Sequence, residues 1–156
     1  MNARTTTAPR AAGWRPPAAL RRLVARLPIQ PPSFVLALAL DRLLLPRLPA
    51  DAATLLADRV VEIEVRDLGI RCRLRLGPSG FRAVPDGGPV TLRVAADAAS
   101  FLRLARGEDD ADRLFFERAL VMEGDTEYGL ILKNTLDAIG PLMEPVPSGG
   151  ASRRHP

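Results

Sequence analysis

One cysteine, one histidine and one lysine occur among 156 residues, and each scarcity removes a class of function. Cys72 has no second cysteine, so no disulfide can form within the chain. His155 is the lone histidine and lies next to the last residue. There is accordingly no Ser-His or Cys-His constellation for nucleophilic catalysis and no metal-ligand spacing. No glycine-rich phosphate loop follows a strand. Aromatic residues make up only 4%, so the core is expected to be aliphatic. No apolar run is long enough to span a bilayer, because the run from Phe34 to Leu40 stops at Asp41-Arg42. A secretory signal needs an uninterrupted apolar stretch after its positive start. Here Pro16, Pro17, Pro28, Pro31 and Pro32 intervene, and a cytoplasmic protein is expected.

Carboxylates are plentiful, but none reads as a reaction centre. Glu123, Asp125 and Glu127 could act as acid and base. No partner group on the chain would complete such a site, so a non-enzymatic role without a cofactor is expected. Glu108, Asp109, Asp110 and Asp112 resemble a metal cluster only on paper. Consecutive acids at a helix start point in different directions and suit the helix dipole instead.

Arginine is abundant and unevenly placed. Residues 1–50 carry a net charge of +7 and residues 51–156 a net charge of −3. Nucleic-acid binding requires basic residues interleaved with aromatics on a folded surface. The basic third has no such pattern, so that class is set aside. The length suits one domain of about 100 residues with extensions.

The chain divides into a basic N-terminal segment at 1–30, a folded domain at 31–141 and a flexible tail at 142–156. Pro31-Pro32 open a helix expected from Ser33 to Leu45, apolar almost all round, which protein or lipid must cover. Asp51 to Ala57 adds a short helical turn. Arg59 to Leu76 reads as a β-hairpin. Val61, Ile63 and Val65 alternate with Glu62, Glu64 and Arg66, while Ile70, Cys72 and Leu74 alternate with Arg71, Arg73 and Arg75. A loop at Leu68-Gly69 would pair Glu64 with Arg73, Glu62 with Arg75, Val65 with Cys72 and Ile63 with Leu74. Cys72 is then a small core residue rather than a nucleophile. Strands are expected at Phe81–Val84 and Val90–Ala95. A helix capped by Asp97 follows, with Ala98, Phe101, Leu102 and Ala105 on its face and Gly107 at its end. Helices, four strands, two helices, a fifth strand and a last helix make an α+β fold. Its sheet is five-stranded, mostly antiparallel and covered by helices, with two helices before it.

The stretch from Arg113 to Gly140 carries the most information. A helical segment ends in Phe115-Phe116, a strand runs from Ala119 to Glu123, and the chain breaks at Gly124-Asp125-Thr126. Asp125 or Thr126 can cap the helix that follows. Tyr128, Ile131, Leu132, Thr135, Leu136 and Ile139 recur at three- and four-residue spacing. Gly129 stands in the first turn, where glycine costs about 1 kcal/mol relative to alanine. Something must approach closely there.

The run V-x-E-G-D-T-E-x-G-L-x-x-K-N-x-x-D-A-I from Val121 to Ile139, preceded by L-F-F-x-R at Leu114 to Arg118, resembles the lipid-binding domain of the type 2 sterol carrier proteins. Within that family the resemblance is to the bacterial accessory factors of ubiquinone biosynthesis that serve the oxygen-independent pathway. It covers roughly residues 30–140 and is specific at Leu114–Ile139. It marks Glu123, Gly124, Asp125 and Gly129 as family-motif positions. It implies a curved five-stranded sheet with an apolar tunnel between sheet and helices. Periodicity and that implied tunnel together nominate Phe101, Leu102, Phe115, Phe116, Leu120, Met122, Tyr128, Ile131, Leu132 and Leu136 as lipid-lining residues. The implied cargo is ubiquinone or its polyprenylated precursors, presented to iron–sulfur hydroxylase partners. A general phospholipid or sterol carrier and a lipid-free interaction module are the rival readings.

The N-terminal segment has its own pattern. Pro17 to Leu27 reads as a short helix with Leu20, Leu23, Val24 and Leu27 in one stripe, flanked by Arg15, Arg21, Arg22 and Arg26. Either it lies on the inner membrane surface transiently, or it packs on the domain with its arginines in water. Each arginine near an anionic leaflet contributes about 1 kcal/mol, against the cost of ordering a short helix. Flotation with anionic liposomes should retain the full chain at low salt and release a chain beginning at Gln30. Equal flotation of both, or indifference to salt and lipid charge, would place the helix on the domain.

Overall fold

The computed structural model describes residues 30–143, with Pro17, Ala18, Ala19 and Arg22 besides. Of the helix expected at 17–27, Ala18, Ala19 and Arg22 are helical and exposed. The remainder of that helix, including Leu20, Leu23, Val24, Leu27, Arg21 and Arg26, lies outside the described residues, as does the chain from 144 onward.

Helix α1 (Gln30–Leu43) begins in the Pro31-Pro32 pair, whose fixed φ suits a first turn. A 3-10 turn (Leu45–Arg47) and helix α2 (Ala50–Leu56) follow. The strands are β1 (Val60–Val65), β2 (Ile70–Gly77), β3 (Gly80–Ala83) and β4 (Leu92–Ala96). Helices α3 (Ala98–Arg106) and α4 (Ala111–Phe116), strand β5 (Leu120–Gly124) and helix α5 (Thr126–Ile139) complete the order. The sheet order is β3-β2-β1-β4-β5. β1 and β4 are parallel and the other neighbours antiparallel, so the sheet is mostly antiparallel as expected.

The hairpin register differs from the expected one by two residues. Glu62 faces Arg73, Glu64 faces Arg71, Ile63 faces Cys72 and Val65 faces Ile70. The connection is four residues, Arg66 to Gly69, instead of two. Gly69 takes a left-handed φ of 66° and donates its N–H to the Arg66 carbonyl, while the Arg66 N–H is drawn to the Ala96 carbonyl of β4. A shift of two keeps every side chain on its face, so alternation reveals the faces and leaves the register open.

α1 clamps the β2–β3 edge with the two polar residues of its inner side. Ser33 Oγ accepts the Arg73 N–H at 3.1 Å, and Asp41 Oδ1 accepts the Phe81 N–H at 2.7 Å. The acid that interrupts the apolar run therefore satisfies an edge-strand donor. Gly80, at φ 117°, makes room, since a Cβ there would lie 2.5 Å from that carboxylate. Ala37 and Leu44 turn inward, while Phe34 and Val35 are each 65% exposed.

Helix α3 has Asp97 at its N-cap position, but Asp97 makes no capping bond. The Ala98 N–H donates instead to Asp67 Oδ1 at 2.9 Å, from the β1–β2 turn, and Asp97 faces Arg66 at 3.7 Å. Asp110 caps α4 by accepting the Arg113 N–H at 2.7 Å. Asp109 is buried against Arg103 at 2.8 Å and Arg113 at 3.0 Å. The residues assigned to a tail begin in contact: Leu142 and Met143 both donate to the Ala105 carbonyl.

The sheet has two unlike faces. Leu92, Leu114 and Leu120 are fully buried in the core on the helical side, with Leu56, Leu76, Val94 and Tyr128. On the other face Glu62 is buried between two arginines. Arg73 Nε lies 2.9 Å and Arg93 Nε 3.4 Å from its carboxylate, and Arg93 reaches on to Glu64. The 84–91 loop closes over this ladder through the Gly87 carbonyl, 3.1 Å from Arg73 Nη1, and Asp86. Removing one member of a buried ion pair leaves its partners uncompensated. Glu62→Ala should lower the unfolding free energy by about 3 kcal/mol in urea titration. A loss below about 1 kcal/mol would mean the ladder behaves as a surface pair.

Candidate functional site

Between the sheet's apolar face and the helices lies a cavity of about 360 Å³. α1 contributes Leu36, Ala39, Leu40 and Leu43, and Leu44 and Leu48 extend its wall. The sheet contributes Val61, Ile63, Val65, Leu74, Leu76, Phe81, Val94, Leu120 and Met122. α3 adds Phe101, Leu104 and Ala105, and α5 adds Tyr128, Leu132, Thr135 and Leu136. Strand alternation and helical spacing put these side chains on one side because each element has one apolar face to hide.

The hydroxyls in the wall are already bonded within the protein. Tyr128 Oη donates to the Leu56 carbonyl at 3.0 Å, and Thr135 Oγ1 donates to the Ile131 carbonyl at 2.7 Å. Burial pushes the Tyr128 phenol pKa up, and the Arg59 charge offsets part of that rise, so the phenol stays a donor at neutral pH. Burial likewise raises the Cys72 thiol, against a lowering hydrogen bond from Ser33. A buried protonated thiol is a poor nucleophile. The cavity therefore offers a ligand mostly hydrocarbon.

Arg59 is the exception. It lines the cavity, its side chain is 51% exposed, and its Nη1 lies 3.2 Å from Asp125 Oδ2. Its guanidinium carbon stands 5.6 Å from the Tyr128 ring centroid.

The structure brings some of the nominated lining residues together and not others. Phe101, Leu120, Met122, Tyr128, Leu132 and Leu136 stand in the cavity wall. Ile131 packs against the core beside it. Leu102 is 40% exposed on α3, whose cavity side is 101, 104 and 105. Phe115 and Phe116 are 45% and 80% exposed and meet each other edge to face at 6.3 Å. Their neighbour Leu114 takes the buried position of that short helix. The α1 residues, the dry face of β1 and β2, and Arg59 join the wall beyond the nominated set. Alternation in 61–65 and 70–76 marks the dry-face strand residues as facing inward. Arg59, just before β1, continues the same alternation onto the dry face, but its charge sets it apart from the apolar pattern.

Gly124, Asp125 and Gly129 of the motif build the junction rather than the wall, apart from Asp125's hold on Arg59. Glu123 is exposed at the end of β5. Gly124 has φ 126°, and a Cβ there would lie 2.4 Å from the Thr91 carbonyl oxygen. Asp125 is the cap, accepting the Tyr128 N–H at 2.9 Å. Gly129 is buried where a Cβ would meet Leu92 Cδ1 at 3.3 Å and Met122 Sδ at 3.9 Å. The close approach that its position implies is thus to the sheet.

The sequence pattern of the SCP-2 sterol transfer family matches residues 36–137. A protein of Escherichia coli (strain K12), "Ubiquinone biosynthesis accessory factor UbiT", is 39% identical over 84 residues, which cover 54% of this chain and 48% of that protein. The match thus spans about half the length of that relative. A solved structure described as "UbiJ-SCP2 Ubiquinone synthesis protein" superposes with a TM-score of 0.54 at 20% identity, covering 67% of this chain and 91% of that one. That likeness establishes a shared fold.

The seat of α5 gives a direct test. Gly129→Leu should destabilise the domain by about 1–3 kcal/mol through overpacking against Leu92. Gly129→Ala should stay within about 1 kcal/mol of the parent, since better helix propensity offsets a small shift of the Leu92 methyl. Thermal melts of both variants read this out, and an unaffected leucine variant would unseat the assignment.

Proposed function

The chain belongs to the SCP-2 sterol transfer family, and from that premise we propose that it binds a lipid without transforming it. The apolar tail lies in the cavity between sheet and helices. The observation that carries this reading is the cavity itself. About 360 Å³ of space bounded almost wholly by aliphatic side chains falls in the size range of small-molecule sites. Each buried CH₂ is worth about 0.8 kcal/mol, so one isoprenoid unit contributes about 3 kcal/mol before ordering costs.

The cargo proposed is ubiquinone or a polyprenylated precursor, with phospholipid as the general alternative. The name of the Escherichia coli relative supports this choice. In this reading the protein is a cytoplasmic accessory factor of the oxygen-independent pathway. It presents the aromatic head of its cargo to iron–sulfur hydroxylases. Exchange with the inner membrane would use the 17–27 helix, and Phe34 and Val35 of α1 offer exposed apolar surface as well. No helix among the described residues is long and apolar enough to cross a membrane. A lipid-free interaction module is the competing reading, favoured by the exposed Phe116 ring.

Protein purified without detergent should yield close to one quinone or phospholipid per chain by mass spectrometry. Leu132→Trp, which fills the cavity, should cut that occupancy severalfold while the chain stays folded. Protein that carries no lipid, and takes none up from liposomes, would favour the interaction module.

A further inference from the structure

Of the described residues that line the cavity, Arg59 alone carries a formal charge. It is also held in place. Asp125 Oδ2 grips Nη1 at 3.2 Å, and the other oxygen of the same carboxylate is tied to the Tyr128 N–H at 2.9 Å. The Tyr128 ring lies 5.6 Å below the guanidinium, within cation–π range. Asp58, just before Arg59, takes a left-handed φ of 61°, and its N–H donates to the Leu76 carbonyl at 2.9 Å. Aspartate tolerates that region better than most residues, and the turn it makes brings the next residue to the cavity. The side chain is half in water and half in the wall, so it stands where the cavity meets solvent.

A guanidinium has five N–H donors in a fixed plane. The bond to Asp125 uses one, and the others have no further acceptor among the described residues. On the reading of the cavity as a tail site, we infer that Arg59 is the residue that selects the lipid's head group. It does so by donating to oxygen acceptors at the cavity mouth. Asp125 cancels its charge, so the pair favours a neutral head bearing carbonyl or ether oxygens, such as a quinone ring. A phosphate would bring like charge against the Asp125 carboxylate. The flat guanidinium can also lie face to face with a planar ring.

The test uses the full chain, stripped of lipid, and three ligands of one tail length: a short-chain ubiquinone, the matching polyprenyl hydrocarbon without a head, and the matching prenyl phosphate. Affinities are measured by displacement of a fluorescent apolar probe. The parent should prefer the quinone over the hydrocarbon by about tenfold or more, as expected for hydrogen bonds from a charged donor. Arg59→Leu should bring that ratio close to one. Asp125→Asn keeps a good N-cap and should raise the phosphate's affinity relative to the quinone severalfold. An unchanged quinone-to-hydrocarbon ratio in Arg59→Leu would overturn the inference and leave Arg59 as an ion-pair strut. So would a parent that prefers the phosphate. Failure of all three ligands to bind the parent would overturn the tail-site reading itself, and head selection with it.

Discussion

The Thr91 carbonyl oxygen is the point at which the fold is closed. Gly124 ends β5 so near to it that any side chain would collide. The next N–H, that of Asp125, donates to the same oxygen at 2.9 Å. Asp125 then caps α5 with one carboxylate oxygen and holds Arg59 with the other. The position and direction of α5 follow from this junction, and Gly129 lets its first turn settle on Leu92. Away from that seat, α5 and the sheet are held apart enough to leave a cavity, into which Leu132 and Leu136 face. Three of the four motif positions thus act by geometry, two glycines for close approach and one acid for two hydrogen-bonding tasks, while Glu123 is exposed near the strand's end.

The two faces of the sheet solve opposite problems. The helical side leaves apolar surface incompletely filled, which costs stability unless something enters, because an empty cavity forfeits dispersion contacts. The other side confines charge, with Glu62 between Arg73 and Arg93 beneath the 84–91 loop. Such a ladder contributes little net stability against desolvation, yet breaking it is expensive. It holds β2, β1 and β4 in register across the parallel junction, where backbone pairing alone is slightly weaker.

α1 shows how an apolar helix can be used on two sides. Its inner side covers the β2–β3 edge and walls the cavity, and its polar residues Ser33 and Asp41 meet edge-strand N–H groups. Its outer side leaves Phe34 and Val35 in water. The same helix therefore borders both the cavity and an exposed apolar strip.

Much of the fold is legible in the sequence because periodicity is a local property. Alternation in 61–65 and 70–76 sets the strand faces, and the three–four spacing from Tyr128 to Ile139 sets α5 with its bounds. The scarcity of histidine, cysteine and lysine narrows the chemistry by composition alone. What alternation cannot distinguish is a shift of two residues, and only the folded sheet sets Ile63 against Cys72 and Val65 against Ile70. Caps behave in the same way: Asp125 and Asp110 cap their own helices, whereas α3 takes its cap from Asp67 in a distant turn. The aromatic pair Phe115-Phe116 resembles cavity wall by composition, but a six-residue helix buries one side, and Leu114 occupies it. Arg59 is held at the site by a contact with Asp125, 66 residues away. The sequence by itself determined which surfaces are apolar, since that depends on neighbours three or four residues apart. The tertiary structure decided which of those surfaces meet and which polar group stands at their edge, because those contacts join residues that no local pattern links.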